Sequence, residues 1–192
     1  MELTVPKWKR LTQPTSEPVS LLQAKQALNI GTGDGTHDER LTLLIQAARE
    51  KWERDTQRAT TAGTFRQVFD AFADALELLP LGVTAVSSIT YFDANNAAQT
   101  ASASLYVFDD YDNCVRLAYE QEWPDTSARY DAVTVNFTAG TSDPLEVPAM
   151  AKAAMLSLVV YYFDKNPGDN DGLYDLRHYD DLARQYMRSS YP

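Results

Sequence analysis

Residues 148–163 read Pro148-Ala149-Met150-Ala151-Lys152-Ala153-Ala154-Met155-Leu156-Ser157-Leu158-Val159-Val160-Tyr161-Tyr162-Phe163. Proline suits the first turn of a helix. After it only Lys152 is charged, so the spacing predicts a helix from Pro148 to Phe163 that is apolar nearly all round. Such a helix has to be covered on nearly all sides. At the other end of the chain two further helices are legible. Ser20 with Gln23 three residues on is a capping-box pattern and opens a short helix to about Leu28. From Asp38 to Arg58, Leu41, Leu44, Ile45, Ala48 and Trp52 recur at the helical period. Asp38 is placed as the cap, and Glu39 lies in the first turn. Glu50 with Arg54, and Lys51 with Asp55, fall four apart on the side expected to face water.

Between these helices the period changes to two. Residues 65–72, 86–92, 105–108 and 114–117 read as strands, with Asp93-Ala94-Asn95-Asn96 as a turn. Val133, Val135 and Phe137 alternate with Thr134, Asn136 and Thr138. Short strands joined by turns imply an antiparallel sheet or small sandwich. The expected class is therefore α+β: a helical bundle from the N- and C-terminal segments with a β-rich antiparallel insertion in the middle. The expected divisions are an extended arm over 1–17, a bundle core from 18–59 and 147–166, an insertion over 60–146, and a tail over 167–192 that is helical. Trp8 is expected to dock on its own domain or on a neighbour.

The bulk composition narrows the function. The chain has 192 residues, 44% apolar and 23% charged, which suits a globular protein of one domain or one with an insertion. A formal charge of −10 argues against gripping DNA, which needs surplus Lys and Arg. One cysteine, Cys114, excludes an intrachain disulfide, and two histidines leave little for a Cys/His zinc site. The first residues carry no apolar signal core. The longest apolar run, 153–163, is short of the roughly 20 residues of a membrane span. The expectation is a soluble protein of a reducing compartment, with no cofactor and no metal.

Each possible chemistry has a plainer reading. Gly31-Thr32-Gly33-Asp34-Gly35 follows a helix rather than a strand and lacks a Lys-Ser/Thr pair, so it reads as a loop and not a phosphate cradle. Asp169-Asn170-Asp171-Gly172 has neither the spacing nor the closing Glu of a calcium loop. Cys114 with His37 or His178 is the one thiol–imidazole combination available, and a cysteine between short strands reads as a small buried hydrophobe. Asp109, Asp110 and Asp112 read as turn formers. The tyrosines Tyr161, Tyr162, Tyr174, Tyr179, Tyr186 and Tyr191 crowd the last third. Those beyond Asp169 are expected at an interface, since little chain remains to cover them.

The ordered set of segments resembles the head–tail connector (adaptor) family of tailed phages. The resemblance rests on residues 18–25 (Pro-Val-Ser-Leu-Leu-Gln-Ala-Lys), then Asp38-Glu39-Arg40-Leu41, Leu44-Ile45 and Ala47-Ala48-Arg49-Glu50, and Asp55-Thr56-Gln57-Arg58. It continues through residues 78–91, Trp123-Pro124, residues 131–140, and Val147-Pro148 before the apolar helix. No single motif is specific, but their order is. The tail here is longer and more acidic than in most members.

The resemblance implies a virion protein that is not an enzyme. It would be made in the host cytoplasm and assembled into a ring, typically of twelve copies, beneath the portal. The ring would extend the DNA channel without binding DNA specifically and would offer a docking surface to the next neck or tail protein. It has no membrane role. On this reading Leu176, Tyr179, Leu182, Tyr186 and Met187 dock on the portal or a neighbouring subunit. The rivals are a stopper or tail-completion protein, and a cell-wall hydrolase using two carboxylates among Asp109, Asp110, Asp112 and Glu120.

Overall fold

A computed structural model describes residues 7–164 and 176–187. The fold is α+β, and the chain divides into two compact units. One takes Met1–Pro14 with Ala62–Gly140, the other Thr15–Thr61 with Thr141–Pro192.

The first unit is antiparallel β. Strands β1 (Lys7–Arg10), β2 (Gly63–Phe69), β4 (Val83–Phe92), β5 (Ala98–Thr100) and β8 (Val133–Ala139) form a sheet in the order β1-β2-β8-β4-β5. Strands β3 (Ala75–Glu77), β6 (Tyr106–Asp109) and β7 (Cys114–Leu117) form a second, in the order β3-β7-β6. Strand β8 runs down the middle of the larger sheet and buries Val133, Val135, Phe137 and Ala139 while their neighbours stay half-buried, the alternation its sequence shows. Phe137 stacks on Phe65 of β2 at 5.7 Å. The buried Gln67 of β2 links the two sheets: its amide donates to Glu77 O (2.9 Å) and its carbonyl accepts from Leu79 N (2.7 Å).

The segment expected to be an extended arm is partly strand. Lys7–Arg10 pairs with Arg10 opposite Phe65 and Lys9 opposite Arg66. Trp8 meets the edge of Phe65 at 5.9 Å, and the Arg10 guanidinium lies 4.6 Å from the same ring. Three basic residues, Lys7, Lys9 and Arg10, around one tryptophan suit an edge strand, where charge discourages pairing with other chains.

The second unit is helical. Helix α1 (Leu21–Ala27) has both halves of the capping box: Gln23 N donates to Ser20 Oγ (3.2 Å), and Ser20 N to Gln23 Oε1 (2.9 Å). Helix α2 (Asp38–Thr56) buries Leu41, Ile45, Ala48 and Trp52 and ends at Gln57, which is left-handed at φ 52°. His37, not Asp38, is its N-cap residue. Asp38 instead pairs with the buried Lys25, whose Nζ also donates to Asp34 O at 2.7 Å, so one cation straps the glycine-rich loop. After a 3-10 turn (Pro144–Glu146) comes helix α3 (Ala149–Asp164), and then α4 (Arg177–Arg184). Arg40 Nη2 donates to Phe163 O (2.7 Å) at the end of α3, where free carbonyls favour a cation.

Helix α2 also buries two charges that the stripe of apolar residues hides. Arg49 is 3% exposed, with Nε 2.8 Å from Glu17 Oε2 and Nη1 3.0 Å from Glu53 Oε2. Glu53 Oε1 accepts from the Thr60 backbone N–H and hydroxyl, both at 2.9 Å, and from Thr61 N at 3.3 Å. Burial works against the Arg49 charge. The hydrogen bond that Arg49 donates to Glu17 and the charges of Glu17 and Glu53 outweigh this and hold the guanidinium pKa above its ordinary value. Replacing Arg49 by Met leaves both carboxylates uncompensated and should cost about 3–5 kcal/mol. Urea unfolding of Arg49→Met checks this, and a loss below ~1 kcal/mol would mean the pair is not desolvated as described.

Candidate functional site

Of the carboxylates that could carry chemistry, Asp110 and Glu120 are exposed, while Asp109 and Asp112 have internal partners. Asp109, Asp112 and Cys114 lie within 4.8 Å of one another, a spacing a metal could use. Arg116 already stands there, with Nε 3.1 Å from Asp109 Oδ2 and Nη2 paired to Asp112. The Asp112 backbone N–H and the Arg116 guanidinium hold the Asp109 carboxyl below the usual carboxylate range, so it is ionised near neutrality and unsuited to donate a proton. Burial pushes the Cys114 thiol up, away from the thiolate a nucleophile needs. Cys114 lies in the β unit, and His37 and His178 in the helical one. Asp169–Gly172 lies outside the described residues, as do Tyr174 and Tyr191. A cleft of about 280 Å³ beside β2 and β3 is lined by Phe69, Ala71, Ala73, Leu76 and Gln67. The Gln67 amide is already hydrogen-bonded at both ends.

The five C-terminal residues expected at an interface sit mostly within their own unit. Tyr179 is fully buried. Its hydroxyl donates to Asp55 Oδ2 at 2.7 Å, its ring meets Trp52 at 6.3 Å, and Lys51 Nζ lies 5.0 Å from that ring. Burial and the Asp55 carboxylate together push the phenol pKa far up. Leu176, Leu182 and Tyr186 are half-buried against the same core. Tyr186 packs on Trp52 at 5.3 Å and its carbonyl accepts from Arg58 Nε. Only Met187 of the five is exposed, at 40%. Helix α2 supplies the cover that the short remaining chain could not.

The surface that stands out is on α3. Its inner side buries Ala151, Ala154, Met155, Leu158 and Val159. Its outer side carries Met150 and Ala153, both exposed, with Leu156, Ser157 and Val160 half-buried. Ser157 Oγ donates to Ala154 O (2.7 Å), so the one hydroxyl there is satisfied within the helix. These five outward residues make an uncharged helix face, an arrangement suited to packing rather than to reaction.

No family model matches the chain, and no curated protein does either. Solved structures share its fold over nearly the whole length of both chains. A chain in a structure described as the neck of an empty GTA particle computed with C6 symmetry aligns with TM-score 0.79 and 19% identity, over 97% of each chain. One from the virion of a native gene transfer agent (GTA) particle gives 0.74 and 18%, over 96% of this chain and 97% of that one. One from the neck of a native GTA particle computed with C12 symmetry gives 0.71 and 16%, over 97% of each. At these identities the likeness establishes a common fold.

Tyr179 belongs to the core of that fold, so Tyr179→Ala should destabilise the lone subunit by about 3–5 kcal/mol, as large aromatic truncations do. Thermal unfolding of the isolated protein checks it; an unchanged midpoint would return Tyr179 to the surface.

Proposed function

We propose that this chain is a structural, non-enzymatic component of the neck of a tailed, phage-like particle. It is a head–tail connector that forms a ring beneath the portal, extends the DNA channel and receives the next neck or tail protein. The observation that carries this reading is the alignment at TM-score 0.79 over 97% of both chains with a neck protein. The C6 and C12 symmetries of the neck structures fit a ring of twelve copies. An uncharged α3 face suits subunit packing. A net charge of −10 suits a channel wall that lets DNA slide and does not hold it. The place of action is the virion, at the junction of head and tail.

Light scattering on the protein alone and with purified portal ring tests the reading. The 21.5 kDa subunit should shift into a stable complex with the portal. Failure to associate at every concentration tried would remove the chain from the portal side of the neck. Around α4 the contact to portal or neighbour is assigned to the exposed Met187, just past the helix, with Leu176, Tyr179, Leu182 and Tyr186 holding the segment in place. Met187→Glu should weaken association with portal and leave the unfolding midpoint of the free subunit unchanged. Undiminished association of this variant would move the docking contact off Met187.

A further inference from the structure

We propose that the outer face of the larger β-sheet meets the phosphate backbone of duplex DNA. Such a contact goes beyond the neck reading and does not depend on ring formation or on portal. The five strands of that sheet carry no aspartate or glutamate, in a chain that has 27 of them. They carry four cations. Arg10 turns to the Phe65 ring on the inner side, and Lys7, Lys9 and Arg66 share the outer one.

Register lays out the rest of the face. Lys9, Arg66, Asn136 and Ser88 stand opposite one another on four adjacent strands. Arg66 Nε donates to Asn136 Oδ1 (3.1 Å), and Asn136 Nδ2 donates to Ser88 Oγ (3.1 Å). This ladder fixes the Arg66 guanidinium and leaves its two Nη groups without a hydrogen-bond partner among the described residues. The Lys9 side chain has no partner among them either. The next row is Lys7, Val68, Thr134, Thr90 and Thr100. Lys7 is compensated by Asp131 at 2.9 Å.

Lys9 and Arg66 are like charges directly opposite on an antiparallel pair, an arrangement that destabilises a sheet. A carboxylate beside them would relieve it, and these strands supply none. Edge protection accounts for Lys9 on β1 but not for Arg66, which lies on the interior strand β2. An anion from outside relieves both. The neutral remainder of the face selects which anion. Protein interfaces are centred on apolar and aromatic anchors, whereas this face offers hydroxyls and amides around the half-buried Val68. Lysine, arginine, serine, threonine and asparagine are side chains that contact DNA phosphates. Interfaces with DNA are also more polar and more positive than those between proteins. Two uncompensated cations per copy make the contact weak and independent of base sequence, so DNA can slide over it.

Titration of the isotope-labelled full chain with a short DNA duplex at low salt, followed by NMR, tests the proposal. The backbone amides of Lys9, Arg66, Asn136, Thr134 and Ser88 should shift, and the shifts should vanish as salt rises. The logarithm of affinity against that of salt concentration should have a slope of about −2, from about −0.9 for each phosphate neutralised. Lys9→Thr should cut that slope by about 1. It should leave the unfolding midpoint at or above that of the wild type, because it removes the like-charge pair. Arg54→Gln removes the same charge from α2 and should leave the slope unchanged. The proposal is overturned if no amide on this face moves, if DNA moves amides of the helical unit instead, or if Lys9→Thr binds with the wild-type slope. Poly-glutamate that moves the same amides at lower concentration than DNA overturns it too, and gives the face to an acidic protein. Failure of the wild-type chain to join portal strikes the neck reading and not this contact.

Discussion

The pairing of Arg49 with Glu17 and Glu53 fixes where the chain enters and leaves the helical unit. A guanidinium this buried is tolerated only if its charge is matched at close range, because desolvation of an ion costs several kcal/mol. The matching groups come from three places: the segment before α1, α2 itself, and, through Glu53, the backbone at Thr60 and Thr61. Thr61 in turn bridges to Thr141, where the chain returns. Each passage of the chain between the units therefore starts from a residue tied, directly or at one remove, to two side chains on α2. An apolar replacement of similar volume could hold the helices as well. It would leave the positions of residues 17, 60–61 and 141 far less defined.

Much of this was legible in the sequence because it follows from local rules. The Ser20–Gln23 box, the apolar stripe of α2, and strands β7 and β8 are set by capping chemistry and by periods of 3.6 and 2. What the sequence did not reveal depends on distant neighbours. Arg49 and Glu53 lie on the same spacing as Leu41, Ile45 and Trp52, yet charge at i,i+4 ordinarily signals a solvated pair. The strand Lys7–Arg10 is invisible as a β signal without β2 some 55 residues later, because its residues are chosen for an edge. Tyr179 read as an orphan aromatic because its cover, Trp52 and Asp55, comes from more than 120 residues earlier.

The candidate site divides the same way. That α3 has almost no charge is plain in the sequence. That one side is filled by α1, α2 and α4 and the other is left with Met150 and Ala153 needed the structure. The acidic turn at Asp109–Asp112, read from the sequence as a turn former, also holds a cation: Arg116, seven residues after Asp109. Spacing alone cannot distinguish a carboxylate pair awaiting a metal from one already neutralised by the next strand.

The interleaving of the two units bears on how the protein is made. The chain emerges from the ribosome N-terminus first, so β1 and the apolar stripe of α2 are synthesised before either has its partners. Strand β8, the spine of the larger sheet, follows β2 by 70 residues in register, and such non-local pairings are slow to form. The β unit can close once Gly140 has emerged. The helical unit, whose Leu41, Ile45 and Trp52 are made early, must wait for α3 and α4 at the other end of the chain. During that interval α2 is the exposed adhesive surface of the nascent protein. The last helices to appear are the ones that silence it.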